Sequence, residues 1–344
     1  MRRIKLTALF VARATGLFRL TRLLTRDRLR ILCYHGFAFA DECAFRPKLF
    51  IDPTRFERRL QAIRRAGLSV IPLDEAIDRL YAGQLPPDCV TITVDDGFHA
   101  FYALAVPHLR RHRFTATVYV TTYYVQNANP VYRLAVQYMF WKTARRELVL
   151  RNVVWADDRV VDLSDPAQHE RALWECINYG EHQCTEAQRQ GICEQLGEVL
   201  GLAYAEIVRA KILHLMTPDE LASLAAADIA VELHTHRHNF PDTNRKDAEQ
   251  EIADNRATLS RWLVGDRHHF CYPSGMWHEC QWPWLDEMQV KSSTIGEPGL
   301  NTKQTPRHAL RRFLDGDNIH QLEFEAELSG FAELARNARA LFKS

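Results

Sequence analysis

Apolar positions along the chain follow two alternating rhythms. Short runs of apolar and β-branched residues at 31–34, 69–72, 90–94, 115–121, 229–234, 268–272, 291–294 and 309–313 predict buried strands, because such side chains fit a pleated interior surface. Between several of these runs the apolar residues recur at helical spacing. Phe56, Leu60 and Ile63 follow a helix-starting Pro53, and similar stretches occupy 73–81, 100–112 and 244–264. Strand and helix in alternation imply a parallel sheet with helical crossovers. The architecture predicted is a distorted (β/α) barrel, and in such barrels the reactive groups sit at strand C-termini.

The rhythm breaks between 123 and 216. A long helix at 131–147, a hairpin at 148–163 turning at Asp157-Asp158, and helices at 167–179, 186–200 and 204–214 predict a mainly helical insertion over 123–216. It divides the barrel into 30–122 and 217–316. Beyond it, Leu322, Phe324, Leu328, Phe331 and Leu334 predict C-terminal helices over 317–344, packed on the outside. At 344 residues, 47% of them hydrophobic, the chain has material for a large core, and barrels commonly run to this length as one unit.

Charge changes the picture only at the N-terminus. The net charge is +1, so no overall field argues for a nucleic-acid partner. The first 30 residues, however, hold nine Lys or Arg against a single acid, Asp27. Residues 1–29 predict a basic amphipathic helix with Leu6, Leu9, Phe10, Leu17, Leu20 and Leu24 on one side and Arg19, Arg22 and Arg26 on the other, although Arg13 interrupts the apolar stripe and Gly16 weakens the helix. Such a helix suits peripheral contact with an anionic bilayer, where each arginine gains on the order of 1 kcal/mol. The same pattern suits a helix that caps the barrel or packs on a partner. The apolar stretch before Arg13 is short for a signal peptide, and no run approaches the roughly 18 residues of a membrane span. Eight scattered cysteines without a CxxC pair point to free thiols. The expected location is cytoplasmic, associated with the membrane through the leader; an unprocessed export signal is the alternative.

The candidate chemistry lies at two strand ends. The run at 90–94 ends in Asp95-Asp96-Gly97, and Gly97 can turn the chain so that both carboxylates reach one cavity. Alone, the tripeptide is ordinary turn chemistry. The run at 229–233 ends in His234-Thr235-His236-Arg237-His238, whose first and last histidines share a face if the segment makes one helical turn. Two imidazoles and one carboxylate form the ligand set of a catalytic zinc site, and other divalent transition metals accept it.

Asp-Asp-Gly at 95–97 and His-Thr-x-x-His at 234–238 resemble the first two motifs of the polysaccharide deacetylases, the NodB-homology or family-four carbohydrate esterases. Phe270-Cys271-Tyr272-Pro273-Ser274-Gly275 is similar to that family's third motif, normally Arg-x-Pro-Tyr. The motifs occur in the family's order, and the resemblance spans roughly 31–314. It implies a metal-dependent hydrolase that removes N-acetyl groups from an amino sugar in a glycan or lipid-linked saccharide. Asp96, His234 and His238 would hold the divalent metal, zinc foremost, with His236 pointing away from it. Asp95 would be the general base, and the Ser274 backbone N–H, beside Tyr272, would face the oxyanion and substrate. The aromatics Tyr123, Tyr124, Tyr132, Tyr138 and Trp141 of the insertion suit either sugar stacking or a core.

Three departures accompany the resemblance. Cys271 stands where the family has the arginine that orients the base, Ser274 replaces the tyrosine, and no Leu-x-His supplies a general acid near the C-terminus. In the branch related to exopolysaccharide N-deacetylases an early Tyr-His segment supplies that proton. His35, after Tyr34, fits it, with His308 as the substitute. Two other functions stay open on the sequence: a metal-dependent amidohydrolase acting on a small molecule, and an inactive relative that binds glycan.

Overall fold

Eight strands pairing in parallel make the central sheet: β1 (Arg30–Tyr34), β2 (Ser69–Val70), β3 (Cys89–Val94), β4 (Ala116–Val120), β5 (Ile229–Leu233), β6 (His269–Cys271), β7 (Ser292–Thr294) and β8 (Phe313–Leu314). Their order is β7-β6-β5-β4-β3-β1-β8, with β2 paired to β3 beside this path. The computed structural model that shows this describes residues 2–127 and 129–341, the side chains of 340 and 341 excepted. Met1, Ala128 and residues 342–344, which the sequence-derived boundaries include, lie outside the described residues.

Every residue of β1, β3, β4, β6 and β7 is buried. A parallel sheet covered on both faces demands this, so its strands read as unbroken apolar runs instead of alternating ones. The sheet is curled. At one edge Thr294 of β7 bridges Leu310, and three residues later Phe313 pairs with Leu32 of β1, so the segment 310–314 runs from one side of the sheet to the other. Ile31 of β1, Cys89 of β3, Tyr119 of β4 and Cys271 of β6 accordingly belong to one buried cluster, which a flat sheet would keep apart. The result is a half-barrel with helices, the distorted (β/α) barrel.

Helices cover the sheet for legible reasons. Helix α3 (Pro53–Arg65) starts at Asp52, whose side chain accepts the Arg55 N–H, with Pro53 in the first turn. Helix α4 (Leu73–Ala82) buries Leu73, Ala76, Ile77 and Leu80 in the barrel cluster and ends at Gly83, whose φ of 70° suits a residue without Cβ. The crossover expected over 100–112 opens as a π-helical turn, Phe101–Ala105, and becomes α-helical at Val106–His112, where Pro107 has no N–H to offer. Helix α5 (Arg245–Leu259) is capped by Asn244. The chain ends in α6 (Gln321–Leu328) and α7 (Phe331–Leu341).

The leader is not the single helix expected. It forms α1 (Arg2–Ala14) and α2 (Leu17–Leu24), parted at Gly16 with φ 81°. No helix among the described residues is long and apolar enough to cross a membrane, and all eight cysteines are unpaired.

The chain divides into two compact units, Met1–Tyr123 with Pro218–Ser344, and Tyr124–Thr217. The second contains the antiparallel pair Glu147–Leu150 and Arg159–Asp162 and the helices Tyr132–Lys142, Pro166–Gln183, Glu186–Leu200 and Tyr204–Arg209. Tyr132 and Tyr138 are buried within it, and the Tyr132 hydroxyl donates to the Cys176 carbonyl at 2.7 Å. Of the aromatics considered for sugar stacking these two are core residues, whereas Trp141 is exposed.

One ion pair fastens α3 to the strand end beside β1. Arg59 and Asp315 are both fully buried, joined at 2.9 and 3.2 Å, and the guanidinium also donates to Gln321 and to the Ile319 carbonyl. Removing one partner leaves a buried charge without compensation, so Asp315→Ala should cost about 3–5 kcal/mol in denaturant unfolding. A loss below about 1 kcal/mol would mean the pair is solvated.

Candidate active site

Asp95 and Asp96 follow β3 directly and are sent in different directions by a γ-turn. The Gly97 N–H donates to the Asp95 carbonyl at 2.9 Å, which places Asp96 at its centre with φ 70°. Gly97 continues at φ 85°, and a Cβ there would stand 3.2 Å from Val120. The turn anticipated at Gly97 therefore begins one residue earlier, at an aspartate able to adopt left-handed backbone. Thr235 (φ 62°), His238 (φ 58°) and Ser274 (φ 57°) share that conformation at the tips of β5 and β6. Each carries strain on the order of 1–3 kcal/mol, gathered at the C-terminal rim of the barrel.

His234 and His238 converge on Asp96. Their Nε2 atoms lie 3.2 and 3.3 Å from Asp96 Oδ1, and the rings meet edge to face with centroids 4.9 Å apart. The segment does so without the helical turn: residues 236–238 form a bend. His234 is anchored on both sides. Its backbone N–H donates to Asn255 of α5, and its Nδ1 donates to the Cys271 carbonyl at 2.8 Å. With the proton on Nδ1, the Nε2 lone pair points at a carboxylate oxygen.

Such an arrangement of acceptors calls for a positive charge between them. Burial disfavours a charged imidazole at His234, yet its contacts with Cys271 and with the Asp96 carboxylate hold its pKa well above the ordinary histidine range. Burial likewise would raise Asp96, but the two imidazoles bring it well below the usual carboxylate range. The three ligand atoms lie within 4.8 Å of one another and comprise two imidazole nitrogens and one carboxylate oxygen. This donor set fits a borderline divalent cation such as zinc.

Asp95 makes a different set of contacts. It is 2% exposed, and Arg312 grips it with two hydrogen bonds, Nη1 to Oδ1 at 2.7 Å and Nη2 to Oδ2 at 2.8 Å. The thiols of Cys33 and Cys271 add longer donations to Oδ2 at 3.5 and 3.3 Å. Burial would raise its pKa, but the Arg312 charge, followed by His35, depresses it far below the usual range. His35 stands at the end of β1, beside β3 because the Asp95 N–H donates to the Tyr34 carbonyl at 2.9 Å. Its Nε2 lies 3.6 Å from Asp95 Oδ2, and its Nδ1 is buried without a partner among the described residues.

Arg312 is the residue that motif reasoning missed. Cys271 occupies the motif position of the base-orienting arginine, and Arg312 Nη2 donates to its sulfur at 3.1 Å while reaching the same carboxylate from the segment before β8. A signal existed. Arg312 shares a strand face with Leu310, and a charged residue at an inward position of an apolar strand requires a buried counter-charge. The loss of the motif arginine, which on the sequence favoured an inactive relative, is thus offset.

Two other predicted residues lie in buried settings. Tyr272 is buried among Phe240, Phe270 and Trp277, and its hydroxyl donates to the His308 carbonyl. His308 is held on both ring nitrogens, its Nδ1 3.0 Å from Ser293 and its Nε2 2.9 Å from Asp286. Ser274 stands exposed in the turn Pro273–Gly275, three residues beyond the carbonyl that anchors His234. His236 points away from Asp96, with its Nδ1 2.8 Å from the Thr122 hydroxyl.

The family model described as polysaccharide deacetylase matches residues 82–151 and 188–291, a span that includes Asp95, Asp96, His234 and His238 but neither His35 nor Arg312. Among solved structures, the chain is similar to the Streptococcus pyogenes deacetylase PplD in complex with acetate (TM-score 0.58, 15% identity, 88% of this chain and 98% of that one). It is also similar to IcaB from Ammonifex degensii (TM-score 0.54, 15% identity, 89% and 97%) and to a de-N-acetylase from Aggregatibacter actinomycetemcomitans (TM-score 0.54, 11% identity, 88% and 100%). No curated protein sequence matches the chain significantly.

The Arg312 grip is open to test by unfolding. Arg312→Met strands a buried carboxylate and should cost about 3–5 kcal/mol, while Arg312→Lys, which keeps the charge without the fork, should lose less. Equal melting temperatures for wild type and Arg312→Met would rule out the pairing.

Proposed function

The chain belongs to the polysaccharide deacetylase family, and we propose that it is a metal-dependent hydrolase releasing acetate from an N-acetylated amino sugar in a glycan or lipid-linked saccharide. Its class is that of a carbohydrate N-deacetylase. The observation that carries the finer reading is the division of labour between adjacent carboxylates, one facing two imidazoles and the other facing a guanidinium and His35.

Asp96, His234 and His238 would hold the cation, zinc being the best match to the donor set. When bound there, it supplies Lewis acidity to the acetyl carbonyl and to a water. Asp95 takes the proton of the attacking water on a carboxylate oxygen. Arg312 keeps that carboxylate ionised and fixes its orientation, at some cost in basicity. His35 delivers a proton from Nε2 to the departing amine nitrogen, so that one water and one amide yield acetate and a free amine. The exposed turn after β6 offers the Ser274 N–H to the developing oxyanion.

Acetate release from an N-acetylglucosamine oligomer, measured beside bound-metal content, tests these roles. Asp95→Asn should lower kcat by about 10²–10⁴-fold and keep the metal, and His35→Gln should do the same. Asp96→Asn should lose both metal and activity, and stripping wild type with a chelator should abolish turnover until a divalent cation is restored. Full activity in the metal-free protein would overturn the reading.

A further inference from the structure

The leader helices leave a second apolar face uncovered. On a soluble surface helix the charged side chains face water and the apolar ones face the body. In α1 the inward side carries Leu9 and Ala12, packed with Phe18, Leu322 and Ala326, and exposed cations reach past its edge to the body. Lys5 pairs with Glu323 at 2.5 Å, Arg13 pairs with Glu325 at 2.9 Å, and Arg2 donates to the Asn318 carbonyl. Ile4, Phe10 and Val11 are left outward, more than half exposed. Helix α2 repeats the arrangement. It buries Phe18 and Thr21 and turns Arg22 inward to Asp88 at 2.9 Å, so that Leu17, Leu20, Leu23 and Leu24 face outward at 42–62% exposure.

These seven side chains are nearly half of the sixteen large apolar residues exposed among the described residues, and they lie within the first 24 positions. Arg3, Arg19 and Arg26 stand exposed around them without an ion pair among the described residues. Beside the leucine face lies a cleft of about 460 Å³. Phe18, Leu68 and Leu328 give it apolar walls, and Arg13, Arg19, Arg22 and Arg65 surround it with only Glu325 as a lining acid. Arg19 and Arg65 have no carboxylate partner there, and Arg19 belongs to both the cleft and the rim of the leucine face.

We propose that α1 and α2 are a membrane-docking surface, which lays its outward leucine, isoleucine and phenylalanine side chains into the interface of an anionic bilayer and seats an acidic lipid headgroup between Arg19 and Arg65. A convex pair of helices with protruding apolar side chains and a ring of cations fits a lipid surface, where apolar depth and anionic headgroups come together. The surface is distinct from the barrel rim that carries Asp95 and Asp96.

The test is co-sedimentation of the full chain with vesicles of phosphatidylglycerol and phosphatidylcholine, or of phosphatidylcholine alone. Wild type should partition onto the anionic vesicles and release as salt rises. Leu20→Ser/Leu24→Ser, at exposed positions, should lose on the order of tenfold or more on any vesicle. Arg19→Ala/Arg65→Ala should lose about fivefold per arginine on anionic vesicles alone. Both variants should keep the melting temperature and the acetate release from a soluble oligosaccharide. Failure of wild type to bind anionic vesicles overturns the proposal, as does equal binding by the leucine variant. Loss of a dimer in the leucine variant, with no vesicle binding by wild type, would assign the face to a second copy of the chain instead.

Discussion

A carboxylate that is almost wholly buried must have a counter-charge or give up its own. Asp95 is in that position, and the two-pronged grip of Arg312 settles it in favour of charge. The grip needs a curled sheet. Arg312 arrives on the segment that runs from β7 towards β1, and Thr93, Cys271 and the Ile295 carbonyl complete its hydrogen bonds. Tyr119 lies against the guanidinium with its ring centroid 5.7 Å away. Strands from different parts of the sheet therefore meet at one cation.

With Asp95 committed to Arg312, Asp96 is free for a different task. The γ-turn between them converts neighbours in sequence into carboxylates with separate partners, one inside the barrel and one at its rim. Left-handed backbone at Asp96, Thr235, His238 and Ser274 is the conformational cost of bringing β3, β5 and β6 to a common point. The surrounding contacts hold these residues there: Asn255 on the His234 backbone, the Cys271 carbonyl on its ring, and the Thr235 hydroxyl accepting the Asn239 N–H.

The N-terminal helices obey another constraint. Three of their cations, Lys5, Arg13 and Arg22, reach Glu323, Glu325 and Asp88 on the body. Seven large apolar side chains remain outward among exposed arginines, and an apolar surface of this kind is expected to be covered. The expectation of a single helix with leucines on one side and arginines on the other was half right. The stripe exists, but Gly16 breaks it, Leu9 turns inward, and Phe10, Leu17, Leu20 and Leu24 stay out.

Local sequence sufficed wherever local physics decides. Unbroken β-branched runs mark strands covered on both faces, Asp52 and Asn244 mark helix starts, and the polar residues after β3 and β5 mark the tips where reactive groups collect. The spacing of His234 and His238 identified the pair, although a bend and not a helical turn brings them together. Tertiary structure alone decided what depends on partners far along the chain. Arg312 lies 217 residues from Asp95, and no periodicity links them. His35 and His308 were both candidate acids on the sequence, and only the fold sets one ring between Ser293 and Asp286 and the other beside Asp95. Strand formation and capping are settled by neighbours in sequence, whereas the pairing of buried charges is settled by which strand ends the closing barrel brings together.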